Sequence, residues 1–197
     1  MDMLAQPNSQ YDWLLGGALA VAPALLGWEI VTTIDGVETA GLIVETEAYG
    51  GASDPASHAY RGPRRANATM FQRGGYIYTY RSYGLHTCMN IVTGPAGSGQ
   101  AVLLRALEPT VGRETMAIRR GRNDPRLLAS GPGRLTQALG ITLAHTGHPL
   151  GGDIRLKPPR RLVPPSDILA GPRIGLSVAQ DYPWRFKLAG NRFVSRA

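Results

Sequence analysis

The alternation of apolar and polar residues predicts a β-hairpin near the start of the chain. In the segment WEIVTTIDGVETAGLIVETEAYG, residues 30–34 form a β-branched run that leads into Asp35 and Gly36. An Asp-Gly pair is a signal for a two-residue turn. Residues 37–47 then return as the second strand, which is expected to pair antiparallel with the first.

A second hairpin is predicted from the segment GYIYTYRSYGLHTCMNIV. Tyr76, Tyr78 and Tyr80 recur with a period of two, so they share one face of a strand. A tight turn through residues 81–84 and a returning strand over residues 85–92 complete this hairpin.

The second half of the chain predicts one buried strand, two helices and a long looped region. Residues 101–109, AVLLRALEP, form a continuous apolar run that is typical of a buried central strand. Helices are predicted over residues 110–118 and 130–139, and Gly140 is placed to end the second one. Residues 145–172 are rich in Gly and Pro, which predicts loops.

These elements predict a mixed α/β fold of the α+β class, with a mostly antiparallel sheet and flanking helices. The closing segment WRFKLAGNRFVS is interpreted as a strand or hairpin. The pattern contains no repeat or linker, so residues 1–197 are expected to form a single domain. Residues 1–12 are expected to be a loosely ordered N-terminal tail.

The composition is that of an ordinary globular protein, with 43% hydrophobic and 18% charged residues. Cys88 is the only cysteine, which excludes an internal disulfide and suits a reducing cytoplasm. The longest apolar stretch, residues 14–28, is too short to span a bilayer comfortably. No basic residue precedes it, so the sequence predicts neither a membrane span nor a signal peptide.

The charge is divided unevenly along the chain. The first 60 residues carry eight acidic side chains and no Lys or Arg, so all 21 basic residues lie beyond them. A net charge of +7 and a pI near 10.0 indicate a polyanionic partner, of which nucleic acid is the commonest. Compositional drift is the alternative, since 19 of the basic residues are arginine.

Two glutamates and one arginine are candidates for chemistry. Glu45 and Glu47 face the same way on a regular strand, and Glu47 lies where the strand meets a glycine-rich loop. A carboxylate there could activate a water or stabilise a cationic transition state, but a solvated strand end is the simpler interpretation. Arg105 lies in the apolar run, where an unpaired guanidinium is costly, so we expect it to meet a carboxylate. That pair could be purely structural, or it could keep Glu47 ionised.

The tyrosine-rich hairpin has two interpretations. Its tyrosines could simply form one face of a sheet. Tyr83 falls in the turn, however, and an exposed ring at a rigid tip is typical of wedges that unstack base pairs from the minor groove. Phosphate contacts would explain the arginines that surround this segment, which are Arg61, Arg64, Arg65, Arg73 and Arg81.

The histidines give weaker signals. His58 follows in a polar loop beside Tyr60, a position more typical of a surface residue. His145 and His148 are three residues apart, but no cysteine is near and the intervening glycine argues against a helix that presents both. The sequence therefore predicts no metal site.

Taken together, these segments resemble the alkyladenine (3-methyladenine) DNA glycosylase family, in a bacterial form. The resemblance runs from about residue 14 to residue 194. It is carried by IVETEAYGG…DPASHAYRG, MFQRGGYIYTYRSYGLHTCMN, VLLRALEP and SGPGRLTQALGI, in that order. It implies a single compact domain around a curved antiparallel sheet, with a protruding β-hairpin that enters the DNA minor groove.

The resemblance also implies a role for each matching residue. Glu47 would be the general base, and Arg105 with a backbone carbonyl near Ile174 would hold the attacking water. Five residues would bind the damaged base: Tyr49, Ala56, His58, Tyr80 and Asn90. Six residues would contact DNA: Tyr83 as the intercalating ring, Leu85 beside it, and Arg64, Arg65, Arg81 and Arg134.

Within that set, Tyr49, His58 and Tyr80 would stack on the extruded base. The carbonyl of Ala56 and the amide of His58 would meet its edge. Asn90 would obstruct the exocyclic amino group of normal guanine.

The implied activity is base-excision repair: alkylated or deaminated purines are flipped out of double-stranded DNA and their N-glycosidic bond is hydrolysed. No cofactor or metal is expected. The chain has only two lysines, Lys157 and Lys187, neither in a matching segment, so we expect no Schiff base and no strand cleavage. A monomer in the cytoplasm, associated with the nucleoid, is expected. The alternatives are a non-catalytic module of the same fold that binds damaged bases, and an RNA-binding protein that stacks unpaired bases.

The sequence departs from the family pattern in three places. His86 and Thr87 stand where eukaryotic relatives carry aromatic residues, a change that bears on how the hairpin packs. Residues 142–172 match poorly, and the C-terminal AGNRFVS matches only loosely.

Overall fold

The computed structural model describes residues 7–195, which are organised around an antiparallel β-sheet. The strands are β1 (Glu29–Ile34), β2 (Val37–Tyr49), β3 (Ile77–Ser82), β4 (His86–Thr93), β5 (Gln100–Val111), β6 (Ile154–Lys157), β7 (Ile168–Gly171) and β8 (Arg185–Leu188). The α-helices are α1 (Ala18–Ala24), α2 (Arg113–Arg120), α3 (Pro125–Leu128) and α4 (Pro132–Leu139). Short 3₁₀-helices occupy Ser9–Leu15, Gly51–Ser53, Arg65–Phe71, Leu143–His145 and Pro165–Asp167.

The strands lie in the order β3-β4-β5-β2-β1-β6, with β8 paired to β2 and β7 paired to β8. The strand pairs of the described residues are antiparallel. This confirms the predicted α+β class. It also confirms the central place of the apolar strand, since β5 lies between β4 and β2.

The first predicted hairpin is confirmed. Ile34 pairs with Val37, so Asp35 and Gly36 alone form the turn. Both turn residues have positive φ, 54° and 74°. That is the geometry of the hairpin turn for which an Asp-Gly pair is selected.

The second hairpin is confirmed, but its turn begins two residues later than predicted. The last pair of the ladder is Ser82 with His86, which leaves residues 83–85 as the turn. Tyr83 and Gly84 have φ of 49° and 69°. Arg81 and Ser82 remain in the strand because each still has a partner across the ladder.

The predicted helix at 110–118 begins too early. β5 continues to Val111 because that residue still pairs with Ala40 of β2. Gly112, with a φ of 70°, ends the strand and begins α2. The helix predicted at 130–139 is confirmed as α4, and Gly140 ends it with a φ of 76°.

The prediction of loops throughout residues 145–172 is wrong, because this region contributes β6 and β7. Each is only four residues long and is flanked by Gly or Pro. β6 completes the edge of the sheet beside β1, and β7 pairs with β8. Strands this short are stabilised by partners distant in sequence, which local composition does not reveal.

The predicted N-terminal tail is ordered in its described part. Ser9–Leu15 is a 3₁₀-helix in which Tyr11 and Leu14 are buried in the core. The Tyr11 hydroxyl donates a hydrogen bond to the carbonyl of Leu156, 3.3 Å away. Residues 1–6 of the predicted tail lie outside the described residues.

The sheet separates the main core from a second set of buried side chains. Ala48, Ile77, Ile91 and Leu104 belong to the main core, together with residues of α1, α2 and α4. Successive strand residues point to opposite faces, so their neighbours in β2 to β5 lie on the other face. These neighbours are Glu47, Tyr49, Tyr78, Asn90 and Arg105. The candidate site is therefore built on the side of the sheet that the main core leaves free.

Gly51 lies two residues after the end of β2 and allows a test of how tightly the loop there is packed. Gly51 has a φ of 71°, and a β-carbon there would overlap the carbonyl oxygen of Ser98. Gly36 has a similar φ of 74° but open space around it. Gly51→Ala is therefore expected to lower the free energy of unfolding by about 1–3 kcal/mol more than Gly36→Ala does, as measured by urea unfolding. Because both changes carry the same backbone strain, equal losses would show that the loop relaxes freely around residue 51.

Candidate active site

Glu47 is the centre of the site and has no exposed surface. Its Oε1 accepts a hydrogen bond from the backbone N–H of Ile174 at 2.8 Å and lies 3.1 Å from Nη1 of Arg105. Its Oε2 accepts a hydrogen bond from the hydroxyl of Tyr49 at 2.9 Å. The interpretation as a solvated strand end is wrong, because the carboxylate is buried and held by three donors.

Arg105 meets a carboxylate, as predicted, but it meets two. Its Nε lies 3.4 Å from Oε1 of Glu45, which is also fully buried. Glu45 in turn lies 3.2 Å from Nη1 of Arg185 and accepts a hydrogen bond from the backbone N–H of Ser195 at 2.7 Å. Two buried carboxylates are thus compensated by two guanidinium groups, and Arg105 lies between them.

The local shape of β2 places both glutamates on the same side as Arg105. Its register with β5 shifts between Ile43 and Glu45 and again between Glu45 and Thr46. Such β-bulges bend a strand and redirect its side chains. In the same stretch, residues 45–47 pair with β8, which brings Arg185 to the site.

A cavity of about 170 Å³ is connected to Glu47 through Tyr49, which lines it and donates its hydroxyl hydrogen bond to Glu47. Its lining residues are Tyr49, Ala56, His58, Met70, Tyr78, Tyr80, Ser82, Asn90, Gly175 and Leu176. All five residues that the resemblance assigned to base binding are thus brought together around one space. The remaining lining residues were not predicted from the sequence. Among them Tyr78 has the clearest sequence signal, since it lies between Tyr76 and Tyr80 in the same stripe of tyrosines.

The rings of the cavity form a continuous wall. The centroids of His58 and Tyr80 are 4.5 Å apart in an edge-to-face contact, and those of Tyr78 and Tyr80 are 5.8 Å apart and stacked. The Nδ1 of His58 lies 2.9 Å from the hydroxyl of Tyr78. Because His58 and Tyr80 touch, no ring fits between them, so a flat ligand would lie against this wall with Tyr49 available on β2 to contact it.

The environment keeps this wall uncharged at neutral pH. Burial lowers the pKa of His58 and raises the pKa of Tyr78 to about 12. The pKa of Tyr80 is raised by burial and then by its neighbour Cys88. The pKa of Tyr49 is raised by burial and then by the charge of Glu47. A cationic ligand would therefore meet the uncharged faces of these rings, which attract cations.

The hairpin tip is exposed, as its position in the turn predicts. Tyr83 and Leu85 are 81% and 78% exposed, whereas most large apolar side chains of the molecule are buried. Arg81 donates a hydrogen bond from Nη1 to the carbonyl of Gly84 at 3.3 Å, which restrains the turn. Ser82 lines both the cavity and an adjoining groove of about 530 Å³, so the hairpin separates the two spaces.

The root of the hairpin is fixed by α4. The hydroxyl of Thr136 donates a hydrogen bond to the carbonyl of Thr87 at 2.7 Å. His86 lies so close to Gly133 that a β-carbon there would be 2.8 Å from the His86 Cβ. His86 and Thr87, where the sequence departs from its eukaryotic relatives, are thus the residues that contact the helix.

Arginines flank the cavity on two sides. Arg61 and Arg64 line a groove of about 360 Å³ that shares Ala56 and His58 with the cavity. Arg105, Arg120 and Arg134 line the groove on the other side of the hairpin. The four arginines assigned to DNA contact are exposed: Arg64, Arg65, Arg81 and Arg134.

Arg73, which was grouped with the phosphate-binding arginines, instead forms an ion pair with Asp12 at 2.8 Å. It lies outside both grooves that flank the cavity. Nothing in its contacts therefore favours the role that the sequence suggested.

A buried ion pair behind the cavity has no counterpart in the sequence analysis. Asp54 and Arg173 are joined by hydrogen bonds of 2.5 and 2.8 Å, and neither side chain is exposed. Both residues lie in loops, where a charged residue is ordinarily solvated, so neither carries a signal like that of Arg105 within its apolar run.

The described residues contain neither a metal-binding cluster nor a membrane-spanning helix. His145 and His148 have ring centroids 5.5 Å apart, but residues 7–195 contain no group of three His, Cys, Asp or Glu side chains able to hold a metal ion. None of the helices in the same range has the length and apolar character needed to cross a membrane.

These features define a class of site: a buried carboxylate beside a ring-lined cavity, next to an exposed aromatic tip and basic grooves. Comparison with known proteins agrees with that class. Residues 12–192 match the sequence model of the methylpurine-DNA glycosylase (MPG) family. The chain belongs to this family.

The matches to curated relatives cover most of the chain. One from Rhodopseudomonas palustris (strain HaA2) is 52% identical over 179 residues, 89% of this chain and 84% of the relative. One from Nitrosospira multiformis is 47% identical over 98% of this chain and 95% of the relative. A third, from Methanoculleus marisnigri, is 50% identical over 90% of this chain and 93% of the relative. Each carries the name "Putative 3-methyladenine DNA glycosylase".

The raised pKa of Tyr78 predicts a loss of stability in alkali. Above pH 10 the tyrosines of the unfolded chain lose their protons, while folded Tyr78 keeps its proton until about pH 12. The unfolded state is then favoured, and this residue alone should remove stability on the order of 1–3 kcal/mol as the pH rises through that window. Tyr78→Phe should reduce the slope of unfolding free energy against pH above 10. Urea unfolding of both proteins at a series of pH values measures this slope. Parallel plots of unfolding free energy against pH for the two proteins above pH 10 would contradict the prediction.

Proposed function

We propose that this protein is a monofunctional DNA glycosylase of base-excision repair, which flips alkylated or deaminated purines out of duplex DNA and hydrolyses their N-glycosidic bond. The observation that carries the proposal is the position of Glu47, which is buried, held by three donors and joined through one of them, the Tyr49 hydroxyl, to a cavity lined by rings. The family membership and the names of the relatives support the same activity.

DNA would be bound through the arginines that flank the cavity. Arg64 and Arg65 on one side, with Arg81 and Arg134 near the hairpin, would contact phosphates independently of base sequence. Tyr83 would enter the minor groove and fill the gap left by the rotated nucleotide, with Leu85 beside it. The exposure of the tip and its fixed root support this role, because a wedge must reach the duplex and resist being pushed back.

The extruded base would lie in the cavity. Tyr49 and the wall of His58 and Tyr80 would stack on it, and a positively charged alkylated purine would gain about 0.5–2 kcal/mol from their faces. Ala56 and the amide of His58 would meet its edge. Asn90, which is buried and donates a hydrogen bond to the carbonyl of Tyr78 at 3.3 Å, would stand against the exocyclic amino group of normal guanine.

Glu47 would then act on a water at C1′ of the sugar. Among the described residues its Oε2 accepts a hydrogen bond only from Tyr49, so one lone pair of this oxygen is available to a water. Arg105 and the carbonyl of Ile174 would hold that water. As the C1′–N bond breaks, its electron pair goes to the base, the water oxygen bonds to C1′, and Glu47 takes the proton. The carboxylate would also stabilise the oxocarbenium-like sugar.

The DNA strand would be left intact. Cleavage by glycosylases uses an amine that forms a Schiff base. Lys157 lies in β6, 4.0 Å from Glu29, and Lys187 lies in β8; neither lines the cavity. We further propose that the protein acts as a monomer on the nucleoid in the cytoplasm.

The first test is Glu47→Gln, which keeps the shape of the side chain and removes its basicity. Single-turnover release of 3-methyladenine and 7-methylguanine from methylated duplex DNA should fall by about 10²–10⁴-fold. Affinity for a duplex containing a stable abasic-site analogue should be unchanged, because DNA binding does not require Glu47 to act as a general base. Wild-type reactions should release bases and leave the strand uncut until alkali is added.

Each alternative gives a different outcome in that experiment. A damaged-base binding module would hold the methylated duplex and release no base. An RNA-binding protein would prefer single-stranded RNA to a lesion-bearing duplex. Equal product from wild type and Glu47→Gln would remove Glu47 from its role, and an adduct trapped with borohydride would contradict the intact strand.

The second test is Tyr83→Ala at the hairpin tip. Because flipping costs a few kcal/mol and the ring would offset part of that cost, excision from duplex DNA should fall by about 10–100-fold. Excision of the same lesion from single-stranded DNA should change little, since no base pair has to be opened. Leu162→Ala is a matched control. Leu162 is 78% exposed, close to the 81% of Tyr83, but it lies away from the cavity and both flanking grooves. Equal losses on single-stranded and duplex DNA would contradict the wedge.

A further inference from the structure

The ion pair of Asp54 and Arg173 is the most deeply buried charged contact that the proposed mechanism does not use. Both side chains have no exposed surface, and neither lines the cavity. Two hydrogen bonds, from Nη1 to Oδ2 at 2.5 Å and from Nη2 to Oδ1 at 2.8 Å, join them in a bidentate pair. Burying such a pair gains little stability over apolar residues of the same volume, so stability alone is a weak reason for it.

Asp54 holds the loop that follows β2. Its Oδ2 accepts a hydrogen bond from the backbone N–H of Gly50, and its Oδ1 accepts one from Ala56, both at 3.1 Å. Ala56 lines the cavity. This carboxylate therefore fixes the loop on both sides of its own position, at the point where the loop reaches the cavity.

Arg173 holds the end of β2 itself. Its Nη1 donates a hydrogen bond to the carbonyl of Ala48 at 3.0 Å, between Glu47 and Tyr49 in the chain. Its guanidinium carbon lies 4.8 Å from the centre of the Tyr49 ring. Trp184 contributes a second aromatic contact at 5.1 Å. The phenol that donates a hydrogen bond to Glu47 thus rests on a buried cation.

Arg173 also precedes Ile174, the residue whose backbone N–H donates to Oε1 of Glu47. The same side chain therefore fixes two donors, one for each oxygen of Glu47: the Ile174 amide through the chain and the Tyr49 hydroxyl through its ring. A movement of Arg173 would shift both donors at once.

We propose that Arg173 and Asp54 are a positioning pair that orients the Glu47 carboxylate and the Tyr49 ring for base excision. This inference rests on the proposed role of Glu47 as the general base. The pair does not touch the flipped nucleotide. It fixes the direction of the free lone pair of Oε2, and hence the place at which a water can be activated.

The proposal predicts a loss of rate without a loss of binding. In Arg173→Met, the maximal single-turnover rate of base release from methylated duplex DNA should fall on the order of 100-fold, as for a small misplacement of reacting groups. The enzyme concentration that gives half of that rate, and the affinity for abasic-analogue duplex, should be unchanged. Arg173→Lys keeps the positive charge but not the guanidinium that makes two hydrogen bonds to Asp54. Its rate should lie between those of wild type and Arg173→Met.

A second variant separates positioning from folding. Arg173→Met leaves Asp54 buried without a partner, which destabilises the fold. The double variant Asp54→Asn/Arg173→Met removes that uncompensated charge and should regain much of the thermal stability while remaining slow. Two controls complete the set: Arg155→Met breaks the exposed ion pair with Glu38, and Met116→Ala destabilises the buried core away from the site. Both controls should excise at the wild-type rate below their unfolding temperatures.

The outcomes distinguish this proposal from the function on which it rests. A wild-type protein that releases no base overturns the proposed function itself. If wild type and Glu47→Gln behave as expected but the double variant recovers the wild-type rate together with its stability, the pair is structural only and the proposal fails. The proposal also fails if Arg173→Met loses binding in the same proportion as rate. A stable, slow double variant with normal binding supports it.

Discussion

Glu45 and Glu47 share one buried guanidinium, that of Arg105, and the arrangement of the site depends on this contact. Two carboxylates without exposed surface would repel each other strongly in a poorly solvated interior. Arg105 between them and Arg185 beyond Glu45 compensate that charge. Removing one member of such a group costs about 3–5 kcal/mol, because the remaining charge is left unpaired. The Glu47 carboxylate is therefore held by two groups of the sheet, Arg105 of β5 and Tyr49 of β2, while a loop supplies only the Ile174 donor.

The same constraint explains why the site lies on the central strands. β2 and β5 must be neighbours, in a register that the bulge at Glu45 sets, for one arginine to reach both glutamates. The hairpin of β3 and β4 is attached to the other edge of β5, so its tyrosines line the same cavity as Tyr49 of β2. The tip of that hairpin is exposed to solvent. Glu47 is thus placed by rigid elements, and the exposed hairpin tip projects from them on a turn restrained by Arg81.

Much of the fold was predictable because its strongest signals are local. The Asp35-Gly36 turn, the tyrosine stripe and the apolar run around Arg105 each follow from residues close in sequence. The pairing of Arg105 with a carboxylate followed from the cost of burying it alone. The roles of the cavity residues came from the resemblance, since an isolated His58 in a loop carries no signal of its own.

The unpredicted features depend on partners that are distant in sequence. β6 and β7 are strands only because the sheet offers them an edge. Asp54 and Arg173 are 119 residues apart, and nothing near either shows that it is buried. The hydrogen bond from Tyr49 to Glu47 was hidden for a different reason: period-two spacing places both side chains on one face, but it does not show where the Tyr49 hydroxyl points.

The charge pattern of the cavity also bears on how the proposed reaction would end. The wall formed by His58, Tyr78 and Tyr80 is neutral, since burial lowers the pKa of the histidine and raises those of the tyrosines. The nearby charge of Glu47 is already compensated by Arg105. A cationic purine would thus be held by ring faces, with no counter-ion of its own. Once the glycosidic bond breaks, the electron pair left on the base neutralises it, and the cation–π attraction of about 0.5–2 kcal/mol disappears. Bond cleavage itself would therefore weaken binding of the product.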